Sequence, residues 1–436
     1  MIGQEPKARL VAAGILAALA GVLVWNVFHY PWVRSYDAAA SSQYAQVLVH
    51  EHRLPRVTET DVWHNPPLFY GMAGVLQSVG DRLGIDPPQR GVQVFDAACV
   101  LLIALLTYAL ARELLPDRPG TALLALALAA TTPVLVRAGS LYHPEPLATA
   151  LAFGGLYVVT RALRRDQLGW RVGALAGLLL GLGNLTRTWA LTVLAATVLG
   201  LALYWLRRRE RATVAAIAAL GAVVAVLVIP WFAYQAAAHG SPLAYSRPNP
   251  EEWRQHGRPW SFWVGLEVDE LVDRPYQPAF RNRLFPVVYA DWWGDYWRSY
   301  DVPAALHDEP AVLPASYARP LRIQVSVGVV VALASLCGLV VLGIRTVRRR
   351  EEATATPLLA LGLLGVSFVG FLVRYPKLDG DNIKALYVLN AAPVLAIAAA
   401  VAFAALARRS RLWLLAVALA LLVVFVSTVT FVVLPA

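Results

Sequence analysis

Charge is scarce in this chain of 436 residues: Asp, Glu, Lys and Arg make up 15% of it, against about a quarter of an ordinary soluble domain. A chain so poor in charge and 58% hydrophobic is not a soluble globular enzyme. It is not disordered either, because disorder needs low hydrophobicity and high net charge. Cysteine is almost missing, and Cys99 and Cys337 both sit inside apolar runs, which excludes a disulfide framework and a CxxC metal or redox motif. Lysine is nearly absent, with residues only at 7, 377 and 384 against 35 arginines. No heptad, Gly-Ser linker or repeat of fixed period marks off a separate soluble domain. A net charge of +10 would point to nucleic acid in a soluble protein, so the positions of the arginines decide what it means.

What the chain has in abundance is long apolar runs. A helix needs roughly 20 apolar residues to cross a bilayer, and eleven runs qualify as candidates: 10–28, 94–111, 120–137, 146–161, 171–185, 188–206, 212–230, 322–344, 356–373, 383–407 and 412–434. The pair 171–185 and 188–206 is split only by Asn184, Thr186 and Arg187, so it demands a tight turn. Apolarity continues past Ala18-Leu19-Ala20 to Phe28, and the first run is therefore read as an uncleaved span. With the N terminus inside, four basic clusters fall on one side: Arg161/Arg164/Arg165/Arg171, Arg207/Arg208/Arg209/Arg211, Arg345/Arg348/Arg349/Arg350 and Arg408/Arg409/Arg411. This is the positive-inside pattern, so the net charge is topological and nucleic acid is not an expected partner. Gly177, Gly181 and Gly183 lie within a span with no strand before them, a spacing that suits helix packing and not a dinucleotide site. The expected architecture is an all-α polytopic membrane protein of three parts. Residues 1–230 form an N-terminal module with a first outer loop at 29–93, residues 231–321 a large outer loop, and residues 322–436 the C-terminal spans.

Function is to be sought on the outer side, where most acids lie. The large loop holds seven of the fourteen tryptophans: Trp231, Trp253, Trp260, Trp263, Trp292, Trp293 and Trp297. They fit either a segment resting on lipid headgroups or a platform of aromatic faces for a sugar or lipid. Asp37, in Arg34-Ser35-Tyr36-Asp37-Ala38, is a carboxylate just outside the first span, a position costly unless hydrated or paired and so a functional candidate. It also suits the cap of the helix-like run through Tyr44 and Leu48. His64-Asn65-Pro66-Pro67-Leu68-Phe69-Tyr70 starts an apolar segment too short to span, which reads as an interfacial helix with His64 at its polar start. Glu145, in His143-Pro144-Glu145-Pro146, is either the first-turn acid of a Pro-started helix or a second carboxylate facing Asp37, with His143 beside it. Asp37, His143 and Glu145 leave a divalent cation open, though no HExxH-type spacing supports one, and no cofactor is expected. Two of the three lysines, Lys377 and Lys384, share one turn with Arg374 and Tyr387. A point charge at the start of an apolar span either snorkels or meets a phosphate at headgroup depth.

In these motifs the chain resembles the GT-C superfamily of membrane glycosyltransferases, in particular the bacterial relatives of the protein O-mannosyltransferases and the aminoarabinose transferases. Tyr36-Asp37 with Tyr44-Ala45 and Leu54-Pro55 is similar to the family's first-loop signature, and His64 to Tyr70 to the segment that follows it. Gly183 to Trp189, Pro230-Trp231 with His239-Gly240-Ser241-Pro242, and Asn382 to Tyr387 are similar to later landmarks, in order, over about residues 20 to 400. Residue 145 is Glu where many relatives carry Asp, and Leu386 stands where an Arg is often seen. The resemblance implies an inverting transferase that moves a sugar from a polyprenyl-phosphate-linked donor to a hydroxyl-bearing acceptor at the outer face of a bacterial cytoplasmic membrane. It implies Asp37 as base and Glu145 as the acid that orients the acceptor or tunes Asp37. Lys384, Arg374 and Lys377 would then face the phosphate, with Tyr36, His64, Tyr70, His143 and Tyr387 lining the substrate site. The competing readings are a secondary transporter, which would carry charges near span midpoints and repeat symmetry between halves, a flippase or polymerase of the same lipid carriers, and an inactive scaffold.

Overall fold

The computed structural model describes residues 4–244, 258–280, 283–298, 313–374 and 383–408, and residues 410, 412, 415–420, 422, 423 and 426 beyond them. Among these the chain is helical throughout, with no strand. In chain order the helices are α1 (Gln4–His29), α2 (Ala38–His50), α3 (Leu68–Arg82), α4 (Arg90–Leu114), α5 (Pro119–Thr131), α6 (Pro133–Ala138), α7 (Glu145–Arg165), α8 (Trp170–Thr186), α9 (Ala190–Arg208), α10 (Arg211–His239), α11 (Trp260–Val264), α12 (Val268–Asp273), α13 (Leu284–Trp293), α14 (Ala315–Arg349), α15 (Glu352–Arg374) and α16 (Ala392–Ala407), the last entered through a 3-10 segment at Ala385–Ala391.

Eight of these are long and apolar enough to cross a membrane among the described residues: α1, α4, α7, α9, α10, α14, α15 and the 3-10 segment with α16. The eleven expected spans are reduced for identifiable reasons. The run 120–137 is cut because Pro133 pushes Thr132 out of the helical region, to φ −72 and ψ 116, leaving a 13-residue α5 and a 6-residue α6. The run 171–185 forms α8, whose 17 residues stand at the lower limit of spanning length. Most of 412–434 lies outside the described residues. The large outer loop is also shorter than expected, since α10 continues through Pro230 to His239 and α14 already starts at Ala315. Large apolar side chains on the long helices point outward, among them Val226 at 74% exposure and Val366 at 70%, a surface suited to lipid.

The glycine spacing in α8 packs helices. Gly173 abuts the backbone of Ala216, and a Cβ on Gly177 would stand 2.7 Å from the Leu220 carbonyl oxygen, so α8 and α10 meet backbone to backbone. The basic helix ends gather on one side. Arg207 reaches the Arg350 carbonyl at 2.8 Å and Glu352 at 2.5 Å, while Arg165 meets Glu113 at 2.8 Å. The first outer loop lies at the opposite ends of these helices, where α2 and α3 pack together through stacked Tyr44 and Tyr70 rings 4.1 Å apart. The tryptophans of the large loop are mostly core. Trp231, Trp292, Trp293 and Trp297 are all buried and only Trp260 is widely exposed, so neither an aromatic platform nor a headgroup belt describes them; Trp253 lies outside the described residues.

Candidate active site

Asp37 stands at the N-cap position of α2 in the left-handed region, φ 55 and ψ 22, and its side chain makes no cap hydrogen bond. Asp tolerates this conformation better than most residues but at a cost. The capping role is thus unfilled, and the carboxylate is exposed. The loop is fixed from behind: Tyr142 donates its backbone N–H to Ser35 Oγ at 2.9 Å, and Gln93 of α4 donates to the carbonyls of Tyr30 and Ser140 at 3.1 and 2.6 Å. This ties the segment carrying Asp37 to the one carrying His143 and Glu145.

Glu145 opens α7 and is 1% exposed. Its carboxylate accepts the Trp189 indole N–H at 2.5 Å and pairs with Arg187 Nε at 2.8 Å. Glu145 is thus a buried carboxylate whose charge is answered by Arg187. That guanidinium also donates to Asn65 at 2.8 Å and lies 6.0 Å from the ring centre of Tyr387. Asn65 in turn donates to the Tyr70 hydroxyl at 2.9 Å and accepts from Tyr44 through its carbonyl at 3.1 Å. Burial opposes the charge of Arg187, yet Glu145, Tyr70, Tyr387 and Asp37 together hold its pKa above the ordinary value. One cation therefore gathers the 64–70 segment, the head of α7 and the C-terminal turn.

Both histidines are neutral near pH 7. Burial, with the nearby charge of Arg187 and against the pull of Asp37, lowers His64 to about 4. His143, 1% exposed, is pushed well below the usual range by burial and by Arg187 and Lys384; its ring receives the Glu145 backbone N–H on Nδ1 at 3.4 Å, and its backbone N–H donates to Asp96 Oδ2 at 3.1 Å. The Tyr70 hydroxyl, fully buried, rises to about 12, mainly through burial. Lys384 closes the ring of groups: its ammonium lies 4.4 Å from the centre of the Tyr36 ring, next to Asp37, and 5.7 Å from that of Tyr387, a geometry favourable for a cation.

The structure thus brings Tyr36, Asp37, His64, Tyr70, His143, Glu145, Lys384 and Tyr387 around one centre. Arg374 ends α15, and Lys377 lies outside the described residues. No group of three or more His, Cys, Asp or Glu placed to hold a metal ion occurs among the described residues. Sequence reasoning passed over Arg187, Asn65 and Asp96. Arg187 left a signal, being a basic residue at the outer end of a span, against the positive-inside pattern. Next to the site an apolar cavity of about 680 Å³ is lined by Leu48, Pro67, Gly71, Met72, Phe95 and Leu185, among others.

Residues 67–234 match the model of the family described as dolichyl-phosphate-mannose-protein mannosyltransferase. No curated protein matches the sequence significantly. The fold is similar to that of the Archaeoglobus fulgidus oligosaccharyltransferase, at TM-score 0.55 and 14% identity over 97% of this chain and 56% of that one. The likeness extends to the archaeal oligosaccharyltransferase AglB from the same organism in complex with an inhibitory peptide and a dolichol-phosphate, at TM-score 0.55 and 13% identity over 97% of this chain and 56% of that one. A further match, at TM-score 0.49 and 15% identity over 93% of this chain and 62% of that one, is ArnT from Cupriavidus metallidurans bound to undecaprenyl phosphate. The chain spans little more than half the length of the oligosaccharyltransferase it matches. It is a multi-span, membrane-type helical protein whose fold resembles that of the oligosaccharyltransferase, and its residues 67–234 carry the similarity to the dolichyl-phosphate-mannose-protein mannosyltransferases.

Proposed function

We propose that the protein is an inverting glycosyltransferase that moves a sugar from a polyprenyl-phosphate-linked donor to a hydroxyl acceptor at the outer face of a bacterial cytoplasmic membrane. The observation that carries this reading is the exposed Asp37 carboxylate, held in a left-handed cap position without a cap bond, with the Lys384 ammonium on the face of the adjacent Tyr36. The acceptor oxygen attacks the anomeric carbon while its proton passes to Asp37, which must come within about 3 Å of it. The bond from that carbon to the phosphate oxygen breaks, and the electron pair leaves with polyprenyl phosphate, whose negative charge Lys384 stabilises. Glu145 keeps Arg187 in place beside this charge, and neutral His64 and His143 with Tyr70 and Tyr387 shape the sugar pocket. The apolar cavity beside α3 suits the polyprenyl chain, since its walls offer nothing to a polar ligand. A neighbour of similar fold, the archaeal oligosaccharyltransferase in complex with a dolichol-phosphate, supports a lipid phosphate as ligand.

The test is transfer of radiolabel from a panel of polyprenyl-phosphate sugars into membrane extract by the purified protein, with Lys384→Gln alongside. Transfer from one donor, weakened in the variant through a raised KM, supports the proposal. Absence of transfer from every donor by a folded protein that also binds none of them overturns it.

A further inference from the structure

Lys384 sits on a short extended stretch, φ −119 and ψ 131, immediately before the 3-10 segment. The peptide groups on either side of it are both held by the large outer loop. The Ile383 carbonyl accepts the indole N–H of Trp297 at 3.0 Å, and the Ala385 N–H donates to Asp291 Oδ2 at 2.6 Å. Asp291, 1% exposed, belongs to an assembly of buried charges. Arg137 of α6 donates to the carbonyl of Asp291 and, at 3.1 Å, to Asp295 Oδ1, and its guanidinium stands 3.7 Å from Asp291 Oδ1. Asp295 is fully buried and Arg137 6% exposed.

Burying three charges is expensive unless each is paired, and apolar packing would hold α13 against the 3-10 segment more stably. What the charged arrangement supplies is register: a carboxylate accepts a peptide N–H only at one distance and direction. Burial lifts Asp291 to about 6 despite the opposing charge of Arg137.

We propose that Asp291, braced by Arg137, is a positioning residue that sets the height and direction of Lys384, so that residues 291–297 of the outer loop tune binding of the lipid phosphate without touching it. The proposal rests on the reading of Lys384 as the phosphate-facing cation. It makes the outer loop part of the donor site through backbone contacts on both sides of the lysine.

The experiment measures binding of a tritiated short-chain polyprenyl monophosphate to the purified full chain in detergent, for native protein, Asp291→Ala, Lys384→Gln and the double variant, with thermal unfolding as a fold control. Asp291→Ala is expected to weaken binding about tenfold, and to weaken it no further when Lys384 is already Gln, since a residue acting through Lys384 has nothing left to position. Equal loss in both backgrounds, or native affinity in Asp291→Ala, overturns the positioning role and leaves the phosphate reading standing. Native affinity in Lys384→Gln overturns the phosphate reading, and this proposal with it. If Asp291→Ala does not fold, Trp297→Phe removes the donor to Ile383 while keeping an aromatic ring in the core, and the same cycle with Lys384→Gln decides.

Discussion

Replacing Glu145 by Gln keeps the shape of the side chain and an acceptor for the Trp189 indole, but removes the charge that faces Arg187. The two groups lie 2.8 Å apart with side-chain exposures of 1% and 15%, so little water can take the place of the carboxylate. Removing one member of a buried pair costs about 3–5 kcal/mol. Arg187 keeps its bond to Asn65 at 2.8 Å and the face of Tyr387, which puts the expected loss at the lower end, about 3 kcal/mol. Removing both charges, in Glu145→Gln with Arg187→Gln, leaves no uncompensated ion and returns stability to within about 1 kcal/mol of the native protein. Unfolding by SDS in mixed micelles, followed by far-UV circular dichroism, reads all three variants. A Glu145→Gln variant as stable as the native chain, or a double variant that loses the sum of the two single losses, would refute the claim that Arg187 is the cation Glu145 is there to hold.

Further outcomes follow from the same geometry. His64 titrates near 4 in the folded protein against about 6.5 unfolded, so between these values the unfolded chain binds more protons and stability rises with pH. The neutral ring's advantage is complete above about pH 6.5 and lost as pH falls to about 4, worth at most about 3 kcal/mol and reduced by solvent reaching part of the ring; unfolding titrations at pH 4 and 7 should show a steeper slope in the native chain than in His64→Gln, where buried His143 still contributes in the same direction. Gly71 lines the apolar cavity, and a Cβ there meets nothing within 4 Å. Gly71→Phe should fold normally and raise KM several-fold for a long-chain polyprenyl donor but not for a short one; equal effects on both would remove the cavity from the donor site.

Much of this site was legible because the chain is so poor in charge. When the spans are nearly all apolar, each acid or lysine at an outer end is conspicuous, which is how Asp37, Glu145 and Lys384 stand out as candidates. Arg187 is masked in the sequence by the turn between two spans, although a basic residue on the outer side is itself an anomaly. Asp96 escaped because it lies inside an apolar run, where its role depends on the backbone of a residue 47 positions later. The tryptophans could not be assigned from composition, since an indole suits a lipid interface and a protein core equally; only packing against Gly328 and hydrogen bonding to Ile383 show Trp293 and Trp297 to be core. Among the described residues the span reading departs from the structure where hydropathy ignores local geometry, most clearly at Thr132-Pro133.

The central claim is that Asp37 removes the acceptor proton. The direct measurement is the separation of binding from turnover in Asp37→Asn, using a labelled polyprenyl-phosphate donor for affinity and its transfer for rate. The account predicts native donor affinity with kcat lowered about 10²–10⁴-fold, the range of general-base catalysis. Transfer within about tenfold of native, or donor affinity that falls in step with transfer, would contradict it.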